Sequence, residues 1–405
     1  HELAATTRLG LDDDPADPTV DAALRAHQAE AQAMVRRYGG FDEADAVVWS
    51  NYDDFPVRAL RYHHFEWVNA ATRRFLRRQA AAEKPFFLYV ATTAIHGPAH
   101  QSVLHQDPIY TPGGIDSSLA VHRTERAALA ASLEGLPPHE QHLRTGMSQL
   151  DGHVGAVVEA LKAHGLWEHT LVIFMADHNT EPAKATCYQK GVHVPLIVAG
   201  PGVSQGTTEA LVQSVDLLPT LAQRLDLPLP AGTLDGRAFG PTLDAPGTPA
   251  RDIAYFEAGY ARAVTDGRYT YQTFRLPQVV QDSLQALPEP FAPNYLNTFK
   301  QAHSQIALEA YPGYFDPDQL YDLETDPYQQ ENRYGDPELI PVQARLRQAL
   351  QAQLARFDHP YPLTDTAFFY TPAYEEMKAR TRAIGTTYIG WWKRDHRDKM
   401  WPPEP

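Results

Sequence analysis

Two apolar runs, residues 171–176 (LVIFMA) and 194–199 (VPLIVA), enclose a polar loop and constrain the fold more than any other part of the chain. Each is six residues long, too short for an ordinary helix and too apolar on both faces for a strand with one wet side. Runs of this kind are expected as strands of a parallel sheet covered on both faces by helices. Pro195 lies near the start of the second run, where a missing N–H costs little, and Gly200-Pro201-Gly202 ends it. A third run, residues 86–91 (FFLYVA), has the same character and leads into a loop holding His96, Gly97, Pro98 and His100. Asp177 and His178 follow the first run directly. Ligands of open α/β sheets bind at the carboxyl ends of strands, so these exits are the candidate sites.

Between the runs the apolar residues recur at helical spacing. Helices are expected over residues 20–38, stopped by Gly39-Gly40, over 63–79 with Trp67, Ala71 and Phe75 on one face, and somewhere within 117–133. A longer one is expected over 145–164, with Met147, Leu150, Val154, Val157 and Leu161 as its apolar stripe and Gly165 at its end. It feeds the 171–176 run, giving the helix-then-strand alternation of a parallel sheet. Asp216 ahead of Leu217-Leu218-Pro219 reads as the N-cap of a further helix. Residues 230–250 are dense in Gly, Pro and Thr and mark a boundary, which divides the chain into an α/β core over 1–245 and a smaller part over 246–405. In the second part Asp266-Gly267 between β-rich runs predicts a hairpin, and residues 336–357 predict a helix. The two make a small α+β subdomain.

A chain of 405 residues can bury a large core. Its formal charge of −15, with no basic stripe, removes the electrostatic footprint of a nucleic-acid binder. No run approaches the roughly 18 apolar residues of a membrane span. Cys187 is the single cysteine, which excludes an intrachain disulfide.

An apolar strand ending in Asp177-His178, then Lys184-x-Thr186-x-Tyr188, then Gly-Val-x-Val-Pro-Leu-Ile-Val resembles the sulfatases of the alkaline phosphatase superfamily. PFFLYVATTAIHGP at 85–98, DGHVGAVVEALKAHGLWEHTLVIF at 151–174, SVDLLPTLAQRLDLPLP at 214–230 and LYDLETDPYQQEN at 320–332 extend the resemblance, in that family's order, over roughly residues 40–360. It implies an alkaline phosphatase-like fold, with a mostly parallel central sheet flanked by helices. It implies that Asp177 and His178 are ligands of a divalent cation. Calcium is the family expectation, and manganese accepts the imidazole nitrogen more readily. Lys184 would hold a sulfate oxygen and His96 would protonate the departing alcohol, a task suited to a group that titrates near neutrality.

The family's nucleophile is a formylglycine made from cysteine in Cys-x-Pro-x-Arg, and that motif occurs nowhere in the 405 residues. Cys187, in Cys-Tyr-Gln-Lys-Gly, lacks the context for conversion and reads as a packed residue. The family also carries its metal-binding Asp pair ahead of the equivalent of Gly40-Phe41-Asp42. The resemblance therefore implies a further N-terminal segment, without which the chain alone is expected to be inactive. The expected substrate is a sulfated small molecule or sulfated carbohydrate, and the expected location is periplasmic or secreted. Two other readings stay open: a phosphodiesterase or phosphonate hydrolase of the same superfamily, and a non-catalytic binding protein on the same scaffold.

Overall fold

A computed structural model describes residues 9–178, 183–229, 232, 234–275, 282, 310–314, 316–358, 361 and 363. They form two compact units, His1–Thr170 and Leu171–Pro405. The sequence boundary after residue 245 is a different division. Residues beyond 171 are joined to the C-terminal sheet by Gln213 Nε2, which donates to the Tyr255 carbonyl (2.6 Å), and by the Tyr188 hydroxyl, which donates to Gln319 Oε1 (2.9 Å).

The first unit opens with α1, Pro18–Gly39, where Asp17 accepts from the Thr19 amide and hydroxyl at 2.7 and 2.6 Å. It stops at Gly40, whose left-handed φ of 73° suits glycine. Helices α2, Phe65–Gln79, α3, Arg123–Ser132, and α4, Pro138–Ala163, follow, with a small antiparallel pair, β1 Tyr110–Thr111 and β2 Gly114–Ile115, between α2 and α3. Leu24 of α1 packs in one core with Phe55, Leu60, Tyr62 and Val103. Arg126 of α3 is buried and fork-bonded to Glu66 of α2 at 2.7 and 2.8 Å, while its Nη1 donates to the Val103 and Gln106 carbonyls at 3.0 Å each. One guanidinium thus ties α3 to α2 and to the 3-10 turn His100–His105.

Helix α4 buries a different face from the expected one. Thr145, Gly146, His153, Ala156, Ala160 and Leu161 are buried, and Met147 is 54% exposed. The buried face packs on α2 and on the 100–105 turn. Its small residues admit side chains from the neighbours: a Cβ at Gly146 would stand 2.8 Å from the His100 ring.

In the second unit β3, Val172–Met175, pairs with β4, Leu196–Ala199, in antiparallel register, Val172 opposite Ala199 and Met175 opposite Leu196. The chain is mixed α/β as expected, and the ladders among the described residues are antiparallel. A parallel pair needs a crossover element long enough to return the chain to the same end. The described part of the β3–β4 connection holds one short helix, α5, Gln189–Val192, and the chain doubles back instead. Residues 86–91 belong to no helix and join no ladder among the described residues; Phe86, Leu88 and Val90 are half-buried, and Phe87 and Tyr89 are each 69% exposed. Apolarity marks a segment as strand-competent but does not supply its partner.

Helices α6, Leu217–Arg224, and α7, Gly240–Asp244, lead to a four-stranded antiparallel meander, β5 Ala254–Ala258, β6 Ala261–Thr265, β7 Tyr269–Phe274 and β8 Asp318–Asp322. Asp216 stands at the N-cap position of α6 as expected, but its side chain makes no capping bond to that helix. Its buried carboxylate folds back to accept from the Gln213 amide (2.7 Å), closing a capping box on a preceding 3-10 turn, and also accepts from the Arg237 amide (2.7 Å). The β6–β7 hairpin turns where expected: Asp266 Oδ1 accepts from the Arg268 and Tyr269 amides, and Gly267 takes φ 97°. Helix α8, Ile340–Leu354, covers the sheet, with Leu346 and Leu350 packed on Val264, Tyr271 and Leu320. The hairpin-containing sheet covered by one helix is thus present over residues 254–354. Among the described residues no helix is long and apolar enough to cross a membrane.

Candidate active site

His96 belongs to the first unit, in the loop that follows residues 86–91. Its backbone amide donates to the Thr93 carbonyl (2.9 Å), and its ring is exposed with Nδ1 3.1 Å from the Gly97 carbonyl. A carbonyl only accepts, so Nδ1 carries a proton and Nε2 is the nitrogen left to exchange one with a ligand. Beneath the loop lie buried histidines. The rings of His63 and His100 stack at 4.0 Å and 9°, and the His100 amide donates to His142 Nδ1 (3.1 Å). Burial holds His63 and His142 below the ordinary imidazole range and takes His100 down to about 3, with His63 and His142 adding to the shift at His100. Of this group only His96 and His100 stand in a recognisable motif. His63 and His142 carry no local signal; their nearness to the loop is a product of the fold.

Asp177, His178 and Lys184 belong to the second unit. Asp177 lies just past β3, with Oδ1 accepting from the His178 amide (2.9 Å) and Oδ2 3.6 Å from His178 Nε2. The structure therefore brings these two together as a carboxylate–imidazole pair, with the Asp177 side chain 86% exposed. They are chemically apt donors for a divalent cation, but two donors do not make a metal centre. Calcium gathers six to eight oxygens, and among the described residues there is no group of three or more His, Cys, Asp or Glu that could hold a metal ion. The described residues do not fit a complete site.

Lys184 is half-buried in a turn whose shape follows from its neighbours. The Ala183 carbonyl accepts from the Thr186 amide (3.1 Å) and hydroxyl (2.7 Å), and Thr186 Oγ1 accepts from the Tyr188 amide (3.2 Å). Tyr188 is buried, stacked on Tyr311 at 3.7 Å and 6°, and its hydroxyl reaches Gln319 of β8. The Tyr321 hydroxyl donates to the same Gln319 oxygen at 2.9 Å. The Gln189 amide donates to Gln329 Oε1 (2.6 Å). Lys184 thus sits on a turn bolted to the C-terminal sheet.

Gly191 closes that turn, because a Cβ there would fall 2.3 Å from the Ala183 carbonyl oxygen and 2.9 Å from that of Thr186. Both atoms are backbone and cannot swing aside. Gly191→Ala is expected to lower stability by about 3 kcal/mol, as overpacking against fixed atoms does. Denaturant unfolding of the variant measures it, and a loss under about 1 kcal/mol would show that the turn is loose.

Cys187 is buried, and burial pushes its thiol up to about 12, so it stays protonated and inert. It is a packed residue.

A family model described as Sulfatase matches residues 28–227. Human arylsulfatase A is 30% identical over 298 residues, covering 67% of this chain and 50% of that protein. An ulvan-active sulfatase from Formosa agariphila is 23% identical over 390 residues, covering 89% of this chain and 66% of that protein. A solved structure of a putative sulfatase from Bacteroides fragilis aligns with a TM-score of 0.48 at 16% identity, over 74% of this chain and 60% of that one. The chain spans about half the length of the arylsulfatases A it matches, 50% of the human protein and 43% of the bovine one. The span matched by the family model takes in His96, Asp177, His178 and Lys184, and the chain is a member of the sulfatase family of the alkaline phosphatase superfamily.

Proposed function

We propose that the protein to which this chain belongs hydrolyses sulfate esters. The observation that carries the reading is the Lys184 turn: a cation in the family's Lys-x-Thr-x-Tyr frame, held by the Thr186 bonds, Gly191 and the Tyr188–Gln319 anchor. Cleavage moves negative charge between the sulfuryl oxygens and the leaving oxygen. An ammonium fixed in place stabilises that redistribution at no cost in reorganisation. His96, with Nδ1–H bonded to the Gly97 carbonyl, presents Nε2–H to the leaving oxygen as the S–O bond breaks. Asp177 and His178 would be two of the donors to a divalent cation, calcium by family likeness, and a formylglycine would supply the nucleophile.

A sulfated carbohydrate is the favoured substrate class. Relatives named ulvan-active sulfatase and N-acetylglucosamine-6-sulfatase support it. The family likeness also supports a periplasmic or secreted location.

The test is turnover of an aryl sulfate by the protein expressed from its native reading frame, with Lys184→Ala and His96→Ala beside it. Lys184→Ala is expected to lower kcat/KM by about 100- to 1,000-fold, the usual effect of removing one stabilising donor. Full activity in Lys184→Ala, or turnover of phosphodiesters in preference to sulfate esters, would overturn the reading.

A further inference from the structure

We propose that His63 is a positioning residue for His96: its two ring nitrogens tie Thr93 to Pro98, the two ends of the loop, and so hold the His96 backbone in register. The proposal rests on the reading of His96 as the group that protonates the leaving oxygen.

His63 is fully buried, with Nδ1 2.8 Å from Thr93 Oγ1 and Nε2 2.9 Å from the Pro98 carbonyl. The chemistry of the two partners sets its state. The Pro98 carbonyl can only accept, so Nε2 carries the hydrogen; in a neutral ring Nδ1 then accepts from the Thr93 hydroxyl. Burial favours that neutral form, and His142 acts in the same direction while Asp53 opposes it. The ring is itself held, stacked on His100 at 4.0 Å and edge-on to Tyr52 at 5.6 Å.

The loop needs such a tether. Residues 86–91 join no ladder among the described residues, so none of the described ladders fixes the loop's entry. Inside the loop the His96 amide to Thr93 carbonyl bond is local, whereas His63 reaches Thr93 and Pro98 from 30 and 35 residues away. Gly97 adds a tight approach, since a Cβ there would stand 3.0 Å from Asp53 Oδ2. A proton donor displaced by about 1 Å from the leaving atom loses on the order of a hundredfold in rate, so a buried clamp on the loop ends bears directly on kcat.

The experiment uses the full chain with three variants: His63→Leu, Thr93→Val and Thr93→Ser. Because the His96 amide is bonded within the loop, its hydrogen exchange reports the clamp without any turnover. Loss of one clamp bond, in Thr93→Val, is expected to speed that exchange about tenfold. Thr93→Ser, which keeps the hydroxyl, restores it, and the amides of α2 and α4 stay unchanged. Nitrogen-15 shifts of the wild-type chain are expected to show His63 as the Nε2–H tautomer. An Nδ1–H tautomer, or His96 exchange unmoved in Thr93→Val, would overturn the clamp, and both readings survive if His63→Leu fails to fold. In the protein expressed from its native reading frame the same threonine pair should split kcat from KM, with kcat falling in Thr93→Val, recovering in Thr93→Ser, and KM steady. A fully active His96→Ala enzyme alongside intact exchange effects would instead sink the proposed role of His96 and leave the clamp standing.

Discussion

Lowering the pH from 7 to 5 is expected to remove about 2 kcal/mol of stability from the N-terminal unit through His64 alone. His64 is buried, its Nε2 lies 3.1 Å from the Leu60 carbonyl, and burial takes its pKa from 6.5 down to about 3. Below pH 6.5 the unfolded chain binds a proton that the folded chain does not. Stability is therefore full above pH 6.5 and falls continuously as the pH drops toward 3. His100, also taken to about 3, acts with the same sign, as do His63, His142 and His153, each lowered by burial. Glu66 is held low instead, chiefly by Arg126 against its own burial, and loses its contribution only at more acid pH. Against a typical total of about 5–15 kcal/mol the histidine effect is large. Urea midpoints followed by Trp67, which is buried in α2, measure it at pH 7, 6 and 5. His100→Leu is the control: neither His100 ring nitrogen has a partner at full hydrogen-bond geometry among the described residues, so the variant chiefly removes a titrating ring. A midpoint that does not move between pH 7 and 5 would contradict the burial of these rings.

Replacing Asp318 by alanine is expected to cost about 3–5 kcal/mol in the C-terminal unit, because it leaves a guanidinium stranded in a dry site. Arg275 and Asp318 are both buried, and Arg275 Nη2 lies 3.0 Å from each carboxylate oxygen. The same guanidinium donates to the Phe274, Pro317 and Leu363 carbonyls, and the Tyr271 hydroxyl donates to Asp318 Oδ1 at 2.5 Å. Removing the carboxylate keeps the desolvation of Arg275 and takes away its partner. The paired replacement Arg275→Met with Asp318→Leu should recover most of the loss, since a buried ion pair is worth little against apolar side chains of similar volume. Denaturant unfolding of the single and double variants decides it. A single variant within about 1 kcal/mol of wild type would show water reaching the pair.

Legibility in the sequence followed the range of the interactions. Helix α1 with Gly40 behind it, the Asp266-Gly267 hairpin and α8 are specified by neighbours a few residues apart, and all three stand where the pattern puts them. The pairing of the 171–176 and 194–199 runs was not legible, because an apolar run is equally compatible with parallel and antiparallel partners. The face of α4 was misread for a different reason. Its buried side carries Gly146 and His153, which no hydropathy pattern marks as interior, and their burial depends on His100 and Asn69 arriving from elsewhere. The candidate residues His96, Asp177, His178 and Lys184 stand out because motif spacing is local. Their supports do not: His63 lies 33 residues before His96 in the sequence, and Gln319 is 131 residues from the Tyr188 it holds.

That last separation gives the Lys184 turn a place in time as well as in space. The β5–β6 and β6–β7 hairpins join sequence neighbours and can form within about 1–10 μs, whereas closing a loop of this length needs an entropic cost met before any contact rewards it. The Tyr188–Gln319 and Gln189–Gln329 bonds, spanning 131 and 140 residues, are set only once β8 has joined the sheet. During synthesis the ribosome delivers Lys184 long before its anchor. A newly made chain is therefore expected to form its local hairpins before the turn that carries Lys184 is anchored.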